Sequence, residues 1–162
     1  MNAPDHATAT SSSRFEPQDP DFEARCRDSF GRQKAMDLIG ARLGALAPGR
    51  CEVLLPFRDD LTQQKGFVHG GVIGMIADSA CGYAAFSLMP AGCSLVTVEY
   101  KINILAPALS ARLVARGEVM RPGRTLTIAR AEVYAECDGR SVHCASMQQT
   151  LMMLAGRSDR PD

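Results

Sequence analysis

The sequence has no surplus of either charge: eighteen basic side chains offset eighteen acidic ones over 162 residues. That balance excludes the broad positive footprint of a nucleic-acid-binding chain and the polybasic patch of a membrane anchor. Local arginines can still hold a small anion. Metal-ligand spacing is also missing. The six cysteines (Cys26, Cys51, Cys81, Cys93, Cys137, Cys144) form no C-x-x-C pair and no Cys–His set at zinc distance, so no metal is expected. Histidine is scarce too, with three in the chain. His6 falls in a polar N-terminal stretch. His143 would face the opposite side of a strand from Cys144, so the two make no nucleophile pair. There is no G-x-S-x-G elbow, Walker A loop, G-x-G-x-x-G or H-E-x-x-H. The opening residues carry neither a basic start nor an apolar run, so no secretory signal is visible. Free thiols then fit a reducing cytoplasm, where such cysteines act as small buried hydrophobes.

What is present suits one soluble domain, with 46% hydrophobic and 22% charged residues. Residues 1–20 are poor in large apolar side chains and read as a mobile tail. A single domain is expected over 21–156, followed by a C-terminal tail at 157–162. Phe22, Cys26, Phe30, Met36 and Ile39 recur at helical spacing, predicting an amphipathic helix over 21–38 with Asp21 as N-cap. Two apolar runs around Ala47-Pro48-Gly49-Arg50 predict a hairpin.

From Val72 to Met89 the composition is that of a helix ended by Pro90 and Gly92, and it is apolar on nearly every face. Several glycines and a mid-run acid argue against a membrane span, so this is a core helix. Strand signals follow. Val96, Val98, Tyr100, Ile102 and Ile104 alternate with Thr97, Glu99, Lys101 and Asn103. Further strand-like segments near 110–121, 125–137 and 140–154 are parted by Pro122-Gly123 and by Asp138-Gly139, a favoured hairpin pair. The expected class is α+β, a four-strand antiparallel meander and a hairpin curled around one buried helix.

The only charged side chain between Gly70 and Pro90 is Asp78. A buried carboxylate costs several kcal/mol unless it finds donors, takes a proton or faces a cleft, so Asp78 is the first candidate for chemistry. It could act as a general base toward water or as a nucleophile. His69-Gly70-Gly71 stands where the loop enters the helix. Glycines there allow unusual backbone angles and close approach of a ligand, and the free N–H groups of a first helical turn can hold an oxyanion. His69 could serve as acid or base; a ring bonded to its own loop is the favoured reading. Gln63, in the same loop, could orient water or a carbonyl. Eight residues separate Gly70 from Asp78, about 12 Å along a helix axis. Both can act on one carbonyl carbon only if they come from different protomers.

Gln63-x5-His69-Gly70-Gly71-x6-Asp78, followed by Thr97-Val98-Glu99-x3-Asn103 and Pro107, resembles the hotdog-fold acyl-CoA thioesterases, with the phenylacetic-acid-degradation type the nearest branch. The likeness spans about residues 35 to 154. It implies a curved antiparallel sheet wrapped on one long helix, here with an extra N-terminal helix. It also implies dimers or dimer-of-dimers tetramers with sites between subunits. The substrate would be a small or medium acyl-CoA, aryl groups included, with no separate cofactor. By resemblance Asp78 is the catalytic carboxylate, Gly70 the N–H donor to the thioester carbonyl and Gln63 the residue that orients carbonyl or water. Thr97 matches a hydroxyl beside the carboxylate of the partner subunit, although alternation puts it on the polar face of its strand; a bulge or the dimer seam would reconcile the two. His69 and Gly71 would line the substrate, and Arg121 and Arg124, on a turn, are candidates for the CoA phosphates. The rivals are a non-catalytic acyl-CoA-binding module of the same fold and a hotdog dehydratase. The lone carboxylate disfavours the first. Dehydratases usually show His-Phe-Pro-Gly and a glutamate further along the helix, which this sequence lacks.

Overall fold

The computed structural model describes residues 14–160. Helix α1 (Phe22–Gly31) and the short α2 (Lys34–Ile39) precede strands β1 (Arg42–Ala47) and β2 (Arg50–Pro56). A single 3-10 turn (Asp59–Leu61) leads to the long helix α3 (Gly70–Phe86). Strands β3 (Ser94–Ile104), β4 (Arg112–Arg121), β5 (Leu126–Cys137) and β6 (Arg140–Leu154) complete the chain.

The helix expected over 21–38 is two. The chain breaks at Arg32 and Gln33, and α2 ends on Gly40 at φ +74°, where the Gly40 and Ala41 N–H groups bond back to Asp37 and Met36 carbonyls. Asp21 does hold the N-cap position of α1, but its side chain caps nothing. Asp19 does that work, accepting from the Asp21 N–H at 3.0 Å. Asp19 also pairs with Arg25 at 3.1 Å. Arg25 in turn donates to the carbonyls of Phe86, Met89 and Pro90, at and just beyond the end of α3. Residues 1–13 of the expected tail lie outside the described residues. Residues 14–20 pack: Phe15 touches the core and Gln18 donates to the Leu88 carbonyl. At the other end, Asp159 of the expected tail pairs with Arg32.

All six strands form one antiparallel sheet in the order β1-β2-β4-β5-β6-β3. The four later strands are therefore not a meander. Strand β3 pairs with β6 at the far edge, and only β4, β5 and β6 follow one another as neighbours. The chain crosses from β3 back to β4 through residues 105–111, which are tied down by bonds from Leu105 N–H to Cys144 and from Val68 N–H to Ala108. Asp138 and Gly139 form the expected tight turn, both at positive φ.

Helix α3 lies across the concave side of the sheet. Ile73, Ile76, Ala77, Ala80, Cys81 and Ala84 are fully buried against Val53, Leu55, Leu113, Ala115, Val133 and Leu151. Each such large side chain removed from water contributes about 1.5–3 kcal/mol. Small residues allow the helix a close approach: a Cβ on Gly117 of β4 would lie 2.3 Å from the Ala80 carbonyl. Strand β3 is different. Val98, Tyr100 and Ile104 are 54%, 48% and 50% exposed, on an edge that no strand among the described residues covers.

Candidate active site

Asp78 stands just over two turns into α3, the only charged residue of that helix and half-buried. Its carboxylate is held on one oxygen. The Thr97 hydroxyl donates to Oδ1 at 2.8 Å, and the buried Gln149 amide donates to the same oxygen. The Gln149 amide also donates to Thr97 Oγ1 at 2.8 Å. Oδ2 makes no hydrogen bond within the described chain.

Thr97 reaches this place through a bulge. Thr97 pairs with Leu151, but Glu99 pairs with Thr150 and Tyr100 with Gln149, so Val98 is an extra residue. Before the bulge Leu95 and Thr97 face the helix; after it Tyr100, Ile102 and Ile104 do. Leu95, Tyr100 and Ile104 lie nearest the Cβ positions of Gly82, Gly74 and Gly70. The polar-face placement expected from simple alternation is therefore wrong, because the phase changes at residue 98. The expected partner is corrected too: Thr97 bonds Asp78 of its own chain.

Gln149 was not anticipated from the sequence. Its signal lay in strand β6, where Met147, Gln149 and Leu151 share the inward phase. An amide at an apolar-phase position, 1% exposed, needs a buried partner.

At the start of α3, His69 is the N-cap, and its Nδ1 accepts from the Gly71 N–H at 2.9 Å. The ring is thus bonded to its own loop. The Gly70 N–H is unused by any bond of the described chain. Neither Gly70 nor Gly71 has a positive φ, so the expected unusual backbone angles are not found. Among the described residues a Cβ on Gly70 would meet only Ile104, at 3.9 Å, and none of them demands glycine there. Gln63 Oε1 accepts from the Lys65 N–H at 2.7 Å.

These groups fall into two clefts. One, of about 910 Å3, holds Asp78 and Thr97 with Gln33, Tyr83 and Leu95, and is rimmed by Arg32 and Arg160. The other, of about 460 Å3, holds Gln63 and Gly70 with Phe67 and Ile104. Arg121 and Arg124 line neither, standing at the β4–β5 turn. Tyr83, bonded to Ser29 and Gln33, has its phenol pushed up to about 12 by burial. Burial, with the nearby Asp78 charge, pushes the Cys81 thiol up as well, so it stays protonated and is no nucleophile. Among the described residues no helix is long and apolar enough to cross a membrane.

A curved antiparallel sheet wrapped on one helix, with a carboxylate midway along that helix and an open N–H at its start, is the hotdog architecture. A family model for the thioesterase superfamily matches residues 65–142. A solved thioesterase family protein from Silicibacter pomeroyi is 50% identical, covering 83% of this chain and 99% of that one at a TM-score of 0.82. The PaaI protein of Escherichia coli, from the phenylacetic acid degradation operon, is 17% identical over 86% of this chain and 98% of that one. Its TM-score is 0.76, a likeness of fold. A Saccharolobus solfataricus protein provisionally named an esterase is 34% identical over 59% of this chain and 66% of its own length. Another of that name from the same organism is 30% identical over 70% of this chain and 73% of its own. The chain belongs to the thioesterase superfamily.

Proposed function

We propose that this protein is an acyl-CoA thioesterase acting on small or medium, including aryl, acyl groups, and that it works as a dimer with composite sites. The observation that carries the reading is the state of Asp78: two donors fall on Oδ1, and Oδ2 is left without a bond beside a cleft. Such an oxygen can take a proton from water as that water attacks the thioester carbonyl, or can attack the carbonyl itself. Either way the carbonyl carbon gains an oxygen, the C–S bond breaks and CoA leaves as the thiolate; in the second route water then hydrolyses the acyl–Asp78 anhydride, releasing the acid and restoring the carboxylate. No cofactor is required for this.

The second chain enters for reasons of distance. Gly70 and Gln63 share one cleft and Asp78 and Thr97 the other, about 12 Å apart along α3. The apolar edge of β3 is where a second copy would continue the sheet, placing the partner subunit's Gly70 opposite Asp78. The unused N–H at a helix start, with the positive end of the dipole behind it, is suited to a developing oxyanion. Arg121 and Arg124, exposed and without an ion pair in the described chain, are the proposed holders of CoA phosphates.

The test is thiol release from a panel of acyl-CoAs by wild type, Asp78→Asn and Gly70→Pro. Proline is well tolerated as the first helical residue, and His69 at ψ 135° already has the extended backbone that precedes proline. Gly70→Pro thus deletes the donor while keeping the helix. It should lose about 10²–10³ in kcat with an unchanged melting temperature, and Asp78→Asn should lose more. Full turnover in either variant refutes the assignment. Binding of acyl-CoA by wild type without turnover refutes the activity.

A further inference from the structure

Resting on the reading of Asp78 as the reacting carboxylate, we infer that Gln149 is a positioning residue that fixes which carboxylate oxygen reacts. Its side chain is 1% exposed on strand β6, the strand that lies between β5 and β3 beneath the helix. Both amide hydrogens are used: one goes to Asp78 Oδ1 and the other to Thr97 Oγ1, at 2.8 Å. Because Thr97 Oγ1 accepts from Gln149, its own proton is directed to Asp78 Oδ1, also at 2.8 Å. The three groups form a closed triangle with one sense of donation. Gln149 and Thr97 each send one hydrogen to Oδ1, and Oδ2 alone remains for chemistry.

The other end of the amide supplies the independent sign. Gln149 Oε1 is buried with no hydrogen-bond partner. A buried orphan acceptor is costly, and an amide free to rotate would relieve it. Rotation here would press a carbonyl oxygen against the ionised Oδ1, so the carboxylate holds the amide in place and the amide holds the carboxylate. Leucine or methionine would fill the same inward position without an orphan. The amide is explained by what it does to Asp78.

Removing these donors leaves the carboxylate free to turn, so that neither oxygen is held ready for the carbonyl. The other charged and titratable groups around this cleft are Arg32, Lys34, Tyr83, Asp159 and Arg160. None of these makes a hydrogen bond to Asp78, and all are unchanged by substitution at 149.

The experiment compares wild type, Gln149→Met and Gln149→Glu in thioester hydrolysis, and adds a double-mutant cycle on melting temperature with Asp78→Ala. Gln149→Met should lose about tenfold to a hundredfold in kcat with KM nearly unchanged. Gln149→Glu keeps the shape but sets a second carboxyl against the first, and should lose at least as much. In the cycle, the Gln149→Met and Asp78→Ala losses should not add, because each removes the same contact. An unchanged kcat in both variants overturns the inference, as do additive losses. Should wild type release no thiol from any acyl-CoA, the proposed activity fails, while the cycle still decides whether Gln149 holds Asp78.

Discussion

Gly117→Ala tests how tightly the reacting carboxylate depends on the seating of the helix. The added Cβ would sit 2.3 Å from both the carbonyl carbon and oxygen of Ala80 and 2.7 Å from the Cys81 nitrogen, where ordinary contact begins at 3.4 Å. These neighbours are backbone atoms, so no rotamer change relieves the overlap, and α3 must lift from β4 by about 1 Å. A gap of that size forfeits a quarter to a half of each contact's dispersion attraction along the seam. Ala80, Cys81 and Ala84, all at 0% exposure, lie on that seam. The expected loss is about 3 kcal/mol, at the upper end for overpacking, or about 6–12 °C in melting temperature for a domain of this size. Asp78 is only two residues from Ala80. The same lift would stretch the 2.8 Å bond from Thr97 to Asp78 beyond hydrogen-bond range, so kcat should fall as well. Gly31→Ala is the control: a Cβ there meets nothing within 4 Å, and the helix should gain up to about 1 kcal/mol. Thermal melting and thiol release on the three proteins decide the matter. A Gly117→Ala protein that melts within about 2 °C of wild type and turns over normally would refute the reasoning.

Other outcomes follow from the same geometry. Asp78→Asn and Gly70→Pro, each inactive alone, should recover about a quarter of wild-type activity after being unfolded together and refolded. Half of the dimers are then hybrids, and each hybrid has one intact site; no recovery means that the site lies within one chain. Thr97→Val should fold normally and lose about tenfold in kcat, since Gln149 still donates to Asp78; an undiminished kcat would remove Thr97 from the site. In native protein near pH 8 a thiol reagent should titrate Cys137 alone, the one exposed cysteine. Burial pushes Cys26 up to about 12 and raises Cys51, Cys81 and Cys144. Rapid labelling of more than one thiol would show that the core opens.

The parts legible in the sequence were those written in local chemistry. Asp78 was conspicuous because a lone acid in an apolar helix has few physical excuses, and the turns at Gly49 and Asp138-Gly139 announce themselves through residues that tolerate positive φ. The position of β3 was not legible. Alternation tells which side of a strand is apolar, not which strand lies beside it, and only the 105–111 crossing decides between β4 and β6. The conflict between Thr97's expected role and the alternation pointed to a bulge or the dimer seam, but the unbroken apolar alternation from Val96 to Ile104 could not show that the phase changes at Val98. Gln149 was visible in principle, as an amide on the inward side of a strand. It meant little until Asp78 and β6 were known to face each other. The break between α1 and α2 follows Gly31, the weak helix former inside the expected span, but Arg32 and Gln33 carry no helix-stopping side chain and the cap that ends α2 lies at Gly40.

The placement of β6 has a consequence for how the protein comes into being. Helix α3 and strand β3 leave the ribosome early, but β3 has no strand to pair with until the last strand is made and threads between it and β5. Asp78 meets Thr97 across a short stretch of chain and Gln149 only across 71 residues. A nascent chain can therefore bury its helix on β2, β4 and β5 and still lack the amide that orients its acid. Such long-range closure is slow relative to local structure and leaves the β3 edge open in the meantime. Competence for chemistry, on this topology, arrives with the final strand and not with the core.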